Sequence, residues 1–232
     1  KEVDFSRGEV LNDANIVSDS AVNGTEIKFK PDSKIFGEYR FRDNYVEERI
    51  HDYVYLNSGL SIFYNGKKFY SENGLKDHLQ SKINQDKIRY PIIHLKNDDI
   101  EIALTHSNQY GEEYYTFVNG QNTVQGGTHL SAFKEAFTKT VRDFYKKDLD
   151  VTDIRSAITA SISVKVQNPI FESQTKTKLG STEMGKGLKS VRVFINDFIK
   201  KELDNYLHKN SEVAKSIQNK IIQAEKERKE LS

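Results

Sequence analysis

The sequence contains no cysteine, no tryptophan, one methionine and three prolines in 232 residues. The absence of cysteine excludes a disulfide framework, a Cys-ligated zinc site and a thiol nucleophile, and it fits a reducing, cytoplasmic location. Without tryptophan, the large apolar anchors are the 13 phenylalanines, the 12 tyrosines and the aliphatic side chains. The sequence therefore predicts a core of aromatic and aliphatic residues that no covalent link or thiol-bound metal holds together.

The sequence also lacks a strong net charge and a long apolar run. Lys and Arg number 35 against 34 Asp and Glu, so the formal net charge is +1, whereas nucleic-acid-binding domains are usually strongly basic. Any contact with DNA must then come from a local patch. No apolar run approaches the roughly 18 residues of a membrane helix, and the first residues have neither an initiator methionine nor a signal-peptide core. We expect a segment of a longer protein that has no membrane partner.

Hydrophobic spacing predicts a mixture of strands and helices in one main domain. Apolar and polar residues alternate over residues 3–10 and 25–30, as they do in strands. Asn65-Gly66 between two apolar segments is typical of a hairpin. The other predicted strands are residues 91–96, 99–107, 113–118 and 158–166. The predicted helices are residues 43–57, 73–84, 128–147, 185–208 and 211–231.

Gly126-Gly127-Thr128 opens the predicted helix at 128–147, and it has two interpretations. The glycines and the free N–H groups of a helix N-terminus form an anion site, or a tight turn precedes a helix capped by Thr128. The spacing matches neither a Walker A loop nor a dinucleotide-binding fingerprint. His129, the next residue, is either a base or an ordinary hydrogen-bonded histidine.

Polar and basic residues follow the predicted strand at 158–166. Lys176, in the loop Gln174-Thr175-Lys176, has the charge and flexibility that suit a phosphate; the alternative is a solvated loop. Basic side chains at helical spacing form either DNA-facing stripes or solvent-facing surfaces, and these are Lys134, Arg142, Lys186, Lys189 and Arg192. The histidines and acidic pairs have no metal-ligand spacing, so the sequence predicts no metal site.

Two blocks in this order and spacing carry a family resemblance. Phe117-Val118-Asn119 is followed by Gln125-Gly126-Gly127-Thr128-His129, and residues 161–166 are followed by Phe171-x-Ser173-Gln174-Thr175-Lys176-x-Lys178-Leu179. Together they resemble the transducer of bacterial type IIA topoisomerase B subunits, and residues 88–94 look more like topoisomerase IV than gyrase. The alternatives are a transducer of a mismatch-repair-type GHKL ATPase and a stand-alone DNA-binding module.

The resemblance implies a fold and a division of the chain. Residues 1–31 would be the terminal strands of a GHKL ATPase domain, residues 32–209 the transducer, and residues 210–232 a helix leading toward a TOPRIM region. The implied fold is α+β, in two α/β layers, with a mixed sheet backed by helices and a long C-terminal helix. Its βαβ crossover would be left-handed, against the usual right-handed rule.

The resemblance also implies roles for single residues. Lys176 matches the lysine that contacts the γ-phosphate of ATP, Gln174 the glutamine beside it, and Thr25 the threonine near the adenine. The Gln-Thr-Lys loop would sense the nucleotide and relay its state to the DNA gates during strand passage. The catalytic Glu, the Mg-binding Asn and the ATP lid would lie upstream. ATP and Mg are therefore expected in the full-length enzyme, whereas this chain alone is expected to be inactive and to bind neither.

The resemblance implies partners as well. A topoisomerase B subunit would work with an A subunit as an A2B2 heterotetramer, and it would pair with a second B subunit through the ATPase domain. Duplex DNA would face Lys134, Lys186 and Lys189. The location would be cytoplasmic.

Overall fold

A computed structural model describes residues 1–12, 14, 16, 23–84 and 87–230. The chain divides into two compact units, Lys1–Val46 and Glu47–Ser232.

The first unit has little regular structure. Strands β1 (Phe5–Ser6) and β2 (Glu9–Val10) form a short antiparallel hairpin, and α1 (Ser33–Phe36) begins where the Asp32 side chain accepts a hydrogen bond from the backbone N of Lys34. The strand predicted at residues 25–30 is wrong, because that segment has no assigned strand. Alternation of side chains does not make a strand unless a neighbour satisfies the backbone hydrogen bonds, and the described residues supply no such neighbour.

The division between the units falls within α2 (Asp43–Leu56), the helix predicted at residues 43–57. Next come β3 (Ser61–Tyr64) and β4 (Lys67–Tyr70), which pair in antiparallel register around the predicted Asn65-Gly66 turn. Asn65 and Gly66 have φ values of 49° and 79°, the left-handed pair that a two-residue hairpin turn requires. Helix α3 (Leu75–Lys82) follows.

A mixed sheet forms the centre of the second unit. Its strands are β5 (Ile93–Lys96), β6 (Ile100–His106), β7 (Glu113–Val118), β8 (Gln121–Asn122) and β9 (Ile158–Val164). Their spatial order is β5-β6-β9-β7-β8. All neighbours are antiparallel except β7 and β9, which are parallel. The β-branched segment predicted to be a buried strand is therefore the central strand β9, which has helical layers on both sides.

The helices that cover the sheet have amphipathic sequences, and their apolar faces pack against it. Helix α4 (Thr128–Tyr145) buries Phe133, Phe137 and Val141 completely, and it lies with α5 (Val151–Arg155) in the crossover from β7 to β9. Helices α6 (Val191–Lys209) and α7 (Ser211–Glu230) complete this layer. The handedness of the crossover stays a prediction, and Leu231, the last residue of the predicted final helix, lies outside the described residues.

The sheet is covered on both faces. Ile102 and Leu104 of β6 belong to the large core formed with α4, α6 and α7. Ala103, which points to the opposite face, packs with Leu75 and Leu79 of α3 and with Phe117. The predicted mixed α and β architecture, with a sheet backed by helices and a long C-terminal helix, is confirmed.

One predicted boundary is wrong. The helix expected to start at residue 185 starts at Val191, where the Ser190 side chain accepts a hydrogen bond from the backbone N of Val193. Lys186 and Lys189 therefore lie in the preceding loop, so they do not share a helical face with Arg192. An N-cap serine fixes the helix start more firmly than the spacing of charged residues does.

Candidate functional site

The loop with Gln174 and Lys176 is the end of a tight hairpin. Phe171 and Leu179 pair as an antiparallel bridge, and the backbone N of Glu172 donates to the carbonyl of Lys178 at 3.0 Å. The turn closes where the N–H of Lys176 donates to the carbonyl of Ser173, also at 3.0 Å. We call residues 171–179 the Lys176 hairpin. Its four-residue turn holds Gln174 and Lys176 at the tip.

Lys176 is the cation of this hairpin that is free to bind a ligand. It is exposed, its φ is 57°, and it forms no ion pair with any residue that the structure describes. Lys178, two residues away, is paired with Glu172 at 2.9 Å. Gln174 is exposed beside Lys176. The tip therefore presents one positive charge and one amide to an incoming partner.

Gly126 and Gly127 hold the returning strand of the hairpin. The N–H of Gln125 donates to Thr177 O at 2.9 Å, the N–H of Leu179 to Gly126 O at 3.0 Å, and the N–H of Thr128 to Leu179 O at 3.1 Å. The N–H of Thr128, the first residue of α4, is thus used inside the chain, which argues against the anion site. The capping role predicted for Thr128 is also wrong, since Gly127 is the N-cap and the Thr128 hydroxyl donates to Ser181 O at 2.6 Å.

His129 is a buried residue of the core. Its exposed fraction is 0%, its Nε2 lies 3.2 Å from the Thr123 hydroxyl, and burial lowers the pKa of its imidazole to about 4. An imidazole without access to solvent or ligand is not placed to act as a base. Of the two interpretations from sequence, the hydrogen-bonded histidine is the one that the geometry supports.

The predicted site residues are distributed over both units. Gln174 and Lys176 share one hairpin in the second unit, whereas Thr25 is exposed in the first unit. Of the predicted DNA-facing lysines, Lys134 is paired with Glu112 at 3.0 Å and Lys189 with Asp197 at 2.7 Å. Lys186 is exposed and has no ion pair with the described residues.

Sequence reasoning missed the backbone pairing between the Lys176 hairpin and residues 125–128. These segments are about fifty residues apart in the chain, and backbone atoms carry the pairing, so side-chain patterns do not reveal it. The only signal was the glycine pair, since adjacent glycines permit a close backbone approach.

The described part of the chain has neither a metal-ligand cluster nor a membrane-spanning helix. Across the described ranges 1–12, 14, 16, 23–84 and 87–230, no three His, Asp or Glu side chains are grouped so that they can hold a metal ion. Within the same ranges, no helix has the length and hydropathy needed to cross a membrane.

Comparisons with known proteins agree with the fold and the motifs. The family model described as DNA gyrase B matches residues 44–232, so the chain belongs to the DNA gyrase B family. It is 43% identical to the B subunit of DNA topoisomerase 4 from Borreliella burgdorferi, over 98% of its own length and 37% of that protein. It is 33% identical to the B subunit of DNA gyrase from Clostridium acetobutylicum, over 97% of the chain and 37% of that protein.

A solved structure is similar as well. The 43K ATPase domain of Thermus thermophilus gyrase B, in complex with an aminocoumarin, superposes with a TM-score of 0.76 and 26% identity. That match covers 99% of this chain and 68% of the other. The chain spans only 37% of the length of the topoisomerase 4 and gyrase relatives named above. The resemblance to type IIA topoisomerase B subunits is confirmed.

Proposed function

We propose that this chain is the transducer region of the B subunit of an ATP-dependent type II DNA topoisomerase. Residues 32–209 are assigned to the transducer, residues 1–31 to the last strands of a GHKL ATPase domain, and residues 210–232 to a helix leading toward a TOPRIM region. Support comes from the family match over residues 44–232 and from the structural likeness to a gyrase ATPase domain. Family membership argues against the mismatch-repair-type transducer and the stand-alone DNA-binding module.

The observation that carries the mechanism is the unpaired Lys176 at the tip of an otherwise hydrogen-bonded hairpin. An exposed ammonium with no carboxylate partner suits a phosphate presented by another domain. Bound ATP would supply that γ-phosphate, Lys176 would donate to its oxygens, and Gln174, two residues earlier in the same turn, would contact it as well. Lys176 loses this contact when the phosphate leaves. A contact that exists in one nucleotide state biases the conformational equilibrium of the protein.

The remaining parts of the ATPase site belong to other segments. The catalytic Glu, the Mg-binding Asn and the ATP lid are assigned upstream, and Thr25 is assigned next to the adenine. This division is supported by the position of Lys176, which lies at a solvent-exposed tip and not in an enclosed nucleotide pocket. We expect the chain to be inactive by itself and to contribute to ATP hydrolysis within the full protein.

Partners follow from the same assignment. The full protein would join an A subunit in an A2B2 heterotetramer in the cytoplasm, act on duplex DNA and dimerise through the ATPase domain. A topoisomerase IV type is favoured over gyrase, because identity to the topoisomerase 4 protein is 43% against 33% for the gyrase protein over similar lengths.

The test is ATP turnover by this chain joined to its upstream ATPase half, with Lys176→Ala compared to Lys178→Ala. Both changes remove one positive charge from the same hairpin, but Lys178 is already paired with Glu172. We expect Lys176→Ala to lower turnover by roughly 100-fold or more, the scale of losing a charged contact in the transition state. Nucleotide binding should persist, and Lys178→Ala should stay close to wild type.

Unchanged turnover in Lys176→Ala would mean that the hairpin is a surface loop, and the proposed role would be abandoned. A similar loss in both variants would point to a general effect of charge on the hairpin.

A further inference from the structure

The returning strand of the Lys176 hairpin is bonded to the first residues of two helices. Leu179 O accepts from the N–H of Thr128, the first residue of α4. Thr182 O accepts from the N–H of Val191, the first residue of α6, at 2.9 Å. We call residues 177–182 the junction strand. Both helices therefore begin on the same extended segment, at carbonyls three residues apart.

Gly127 makes the α4 side of this junction possible. Its backbone has φ 130° and ψ −157°, a conformation that side chains oppose. A Cβ at this position would lie 2.3 Å from Leu179 O and 2.5 Å from Leu179 N. Those atoms belong to the backbone and to the junction strand itself, so no rotamer change relieves the clash. A side chain at residue 127 must push the junction strand away from α4.

Outside the junction strand, Phe171 of the hairpin packs against the large core, and a cavity lies beside the hairpin. The cavity, of about 660 Å³, is lined by the hairpin residues Glu172 and Lys178 and also by Glu135 and Arg192. Two ion pairs lie beside the cavity. Lys178 pairs with Glu172 inside the hairpin, and Arg192 pairs with Glu135 between the helices. The second of these pairs joins α6 to α4. The helices are therefore tied to each other, and backbone hydrogen bonds of the junction strand tie the hairpin to them.

We infer that the junction strand is the connection through which a displacement of Lys176 reaches α4 and α6, and that Gly127 is the positioning residue that keeps it seated. This inference rests on the proposed phosphate contact of Lys176. Thr177, whose carbonyl accepts from the N–H of Gln125, directly follows Lys176, so the tip cannot shift far without moving the strand. Backbone hydrogen bonds to helix starts move both helices as rigid elements.

The experiment uses the full-length B subunit with its A subunit. Gly127→Ala displaces the junction strand, and Thr128→Val removes the hydroxyl that donates to Ser181 O with little change in shape. Gly66→Ala is the matched control, because Gly66 has φ 79° but open space around its Cβ position. For each variant, kcat and KM for ATP, nucleotide binding and the number of DNA strands passed per ATP are measured.

We expect Gly127→Ala to pass roughly 10-fold fewer strands per ATP, within the usual range of coupling effects, while nucleotide still binds. Thr128→Val should show a smaller loss of the same ratio, and Gly66→Ala should keep the wild-type ratio. A variant that is only less stable loses turnover and strand passage in proportion, so its ratio does not change.

The inference is overturned if either folded variant, Gly127→Ala or Thr128→Val, has the wild-type ratio. Thr128→Val decides the matter if Gly127→Ala does not fold. Failure of the proposed function has a different signature, since Lys176→Ala would then retain full ATP turnover.

Discussion

Lys134, Lys186 and Lys189 carry the same charge but lie in different surroundings. The Lys134 ammonium is 3.0 Å from a Glu112 oxygen and 4.3 Å from the centre of the Tyr114 ring. The Lys189 ammonium is 2.7 Å from Asp197. A paired ammonium must give up its carboxylate before it binds a phosphate. At the scale of single residues, Lys186 is therefore the strongest of the three candidates for a DNA contact.

Charge reversal at Lys186 tests this ranking. In the complete enzyme we expect Lys186→Glu to impair DNA relaxation more than ATP turnover, because Lys186 would meet DNA and not nucleotide. Loss of one phosphate contact should lower the slope of log affinity against log salt by about 0.9. DNA binding at several salt concentrations provides that slope.

Lys134→Glu is the control for Lys186→Glu, since it places a second negative charge beside Glu112. We expect it to lower the free energy of unfolding by up to about 1 kcal/mol and to leave the salt slope unchanged. Equal losses of relaxation and ATP turnover in Lys186→Glu would contradict a DNA contact.

At the scale of elements, an ion pair joins the charged C-terminal end of α7 to α5. Asp153 is buried, and its two carboxylate oxygens accept from Nε and Nη2 of Arg228 at 2.8 and 2.9 Å. A bidentate arrangement of this kind fixes orientation as well as distance. The last turns of α7 are rich in charged residues, a composition typical of a solvated end, yet this pair holds them to the second unit.

Removing the charge of Asp153 should loosen the end of α7. Asp153→Asn keeps the shape but leaves Arg228 with only the longer ion pair to Asp150 at 3.9 Å among the described residues, so we expect severalfold faster amide hydrogen exchange over residues 222–230. Exchange in α4 should be unaffected. Lys226→Ala removes only the pair with Glu230 inside α7 and is the matched control. Equal exchange in Asp153→Asn and wild type would show that packing alone holds the helix end.

Helix α4, the β3–β4 hairpin and the central strand β9 were predictable because each is a local pattern. Helical periodicity, an Asn-Gly turn and a β-branched segment specify their own conformation. The strand expected at residues 25–30 was wrong because a strand depends on a partner, which local sequence does not contain. The predicted start of α6 was wrong because basic residues at helical spacing do not define a helix start, whereas the Ser190 cap does.

The candidate site was predictable only in part. The resemblance implied the roles of Lys176 and Gln174, whereas spacing alone favoured a solvated loop. The hairpin shape, the left-handed backbone at Lys176 and the fit of Gly127 against Leu179 depend on contacts between distant segments. Such contacts are a property of the folded chain, because they arise only once the helices and the sheet are packed.

At the scale of the whole molecule, three histidines are buried on the two faces of the sheet. His78 of α3 bonds the Ser161 hydroxyl at 2.8 Å. His106 of β6 lies between the Tyr90 hydroxyl and the carbonyl of Ile154, and His129 is in α4. The ring of His106 is satisfied in its neutral form, since Nε2 can donate to the carbonyl while Nδ1 accepts from the tyrosine. Burial lowers the pKa of each imidazole to about 4.

These lowered pKa values predict that stability falls with acidity. An unfolded histidine takes up a proton below about pH 6.5, whereas the folded ones stay neutral until about pH 4. The unfolded state therefore binds more protons in this window, and the free energy of unfolding drops as the pH falls through it. We expect a loss of roughly 2 kcal/mol per histidine between about pH 7.5 and about pH 5.

Urea unfolding of the 232-residue chain at these two pH values, followed by far-UV circular dichroism, measures the loss. His129→Gln keeps a group that can hydrogen-bond Thr123 but does not titrate. Because one of the three buried histidines is then removed, the free energy of unfolding should fall between the two pH values by about one third less than in wild type. The exposed His208→Gln is the control and should behave as wild type. The same loss in His129→Gln and wild type would mean that carboxylates, not buried histidines, set the acid sensitivity of this fold.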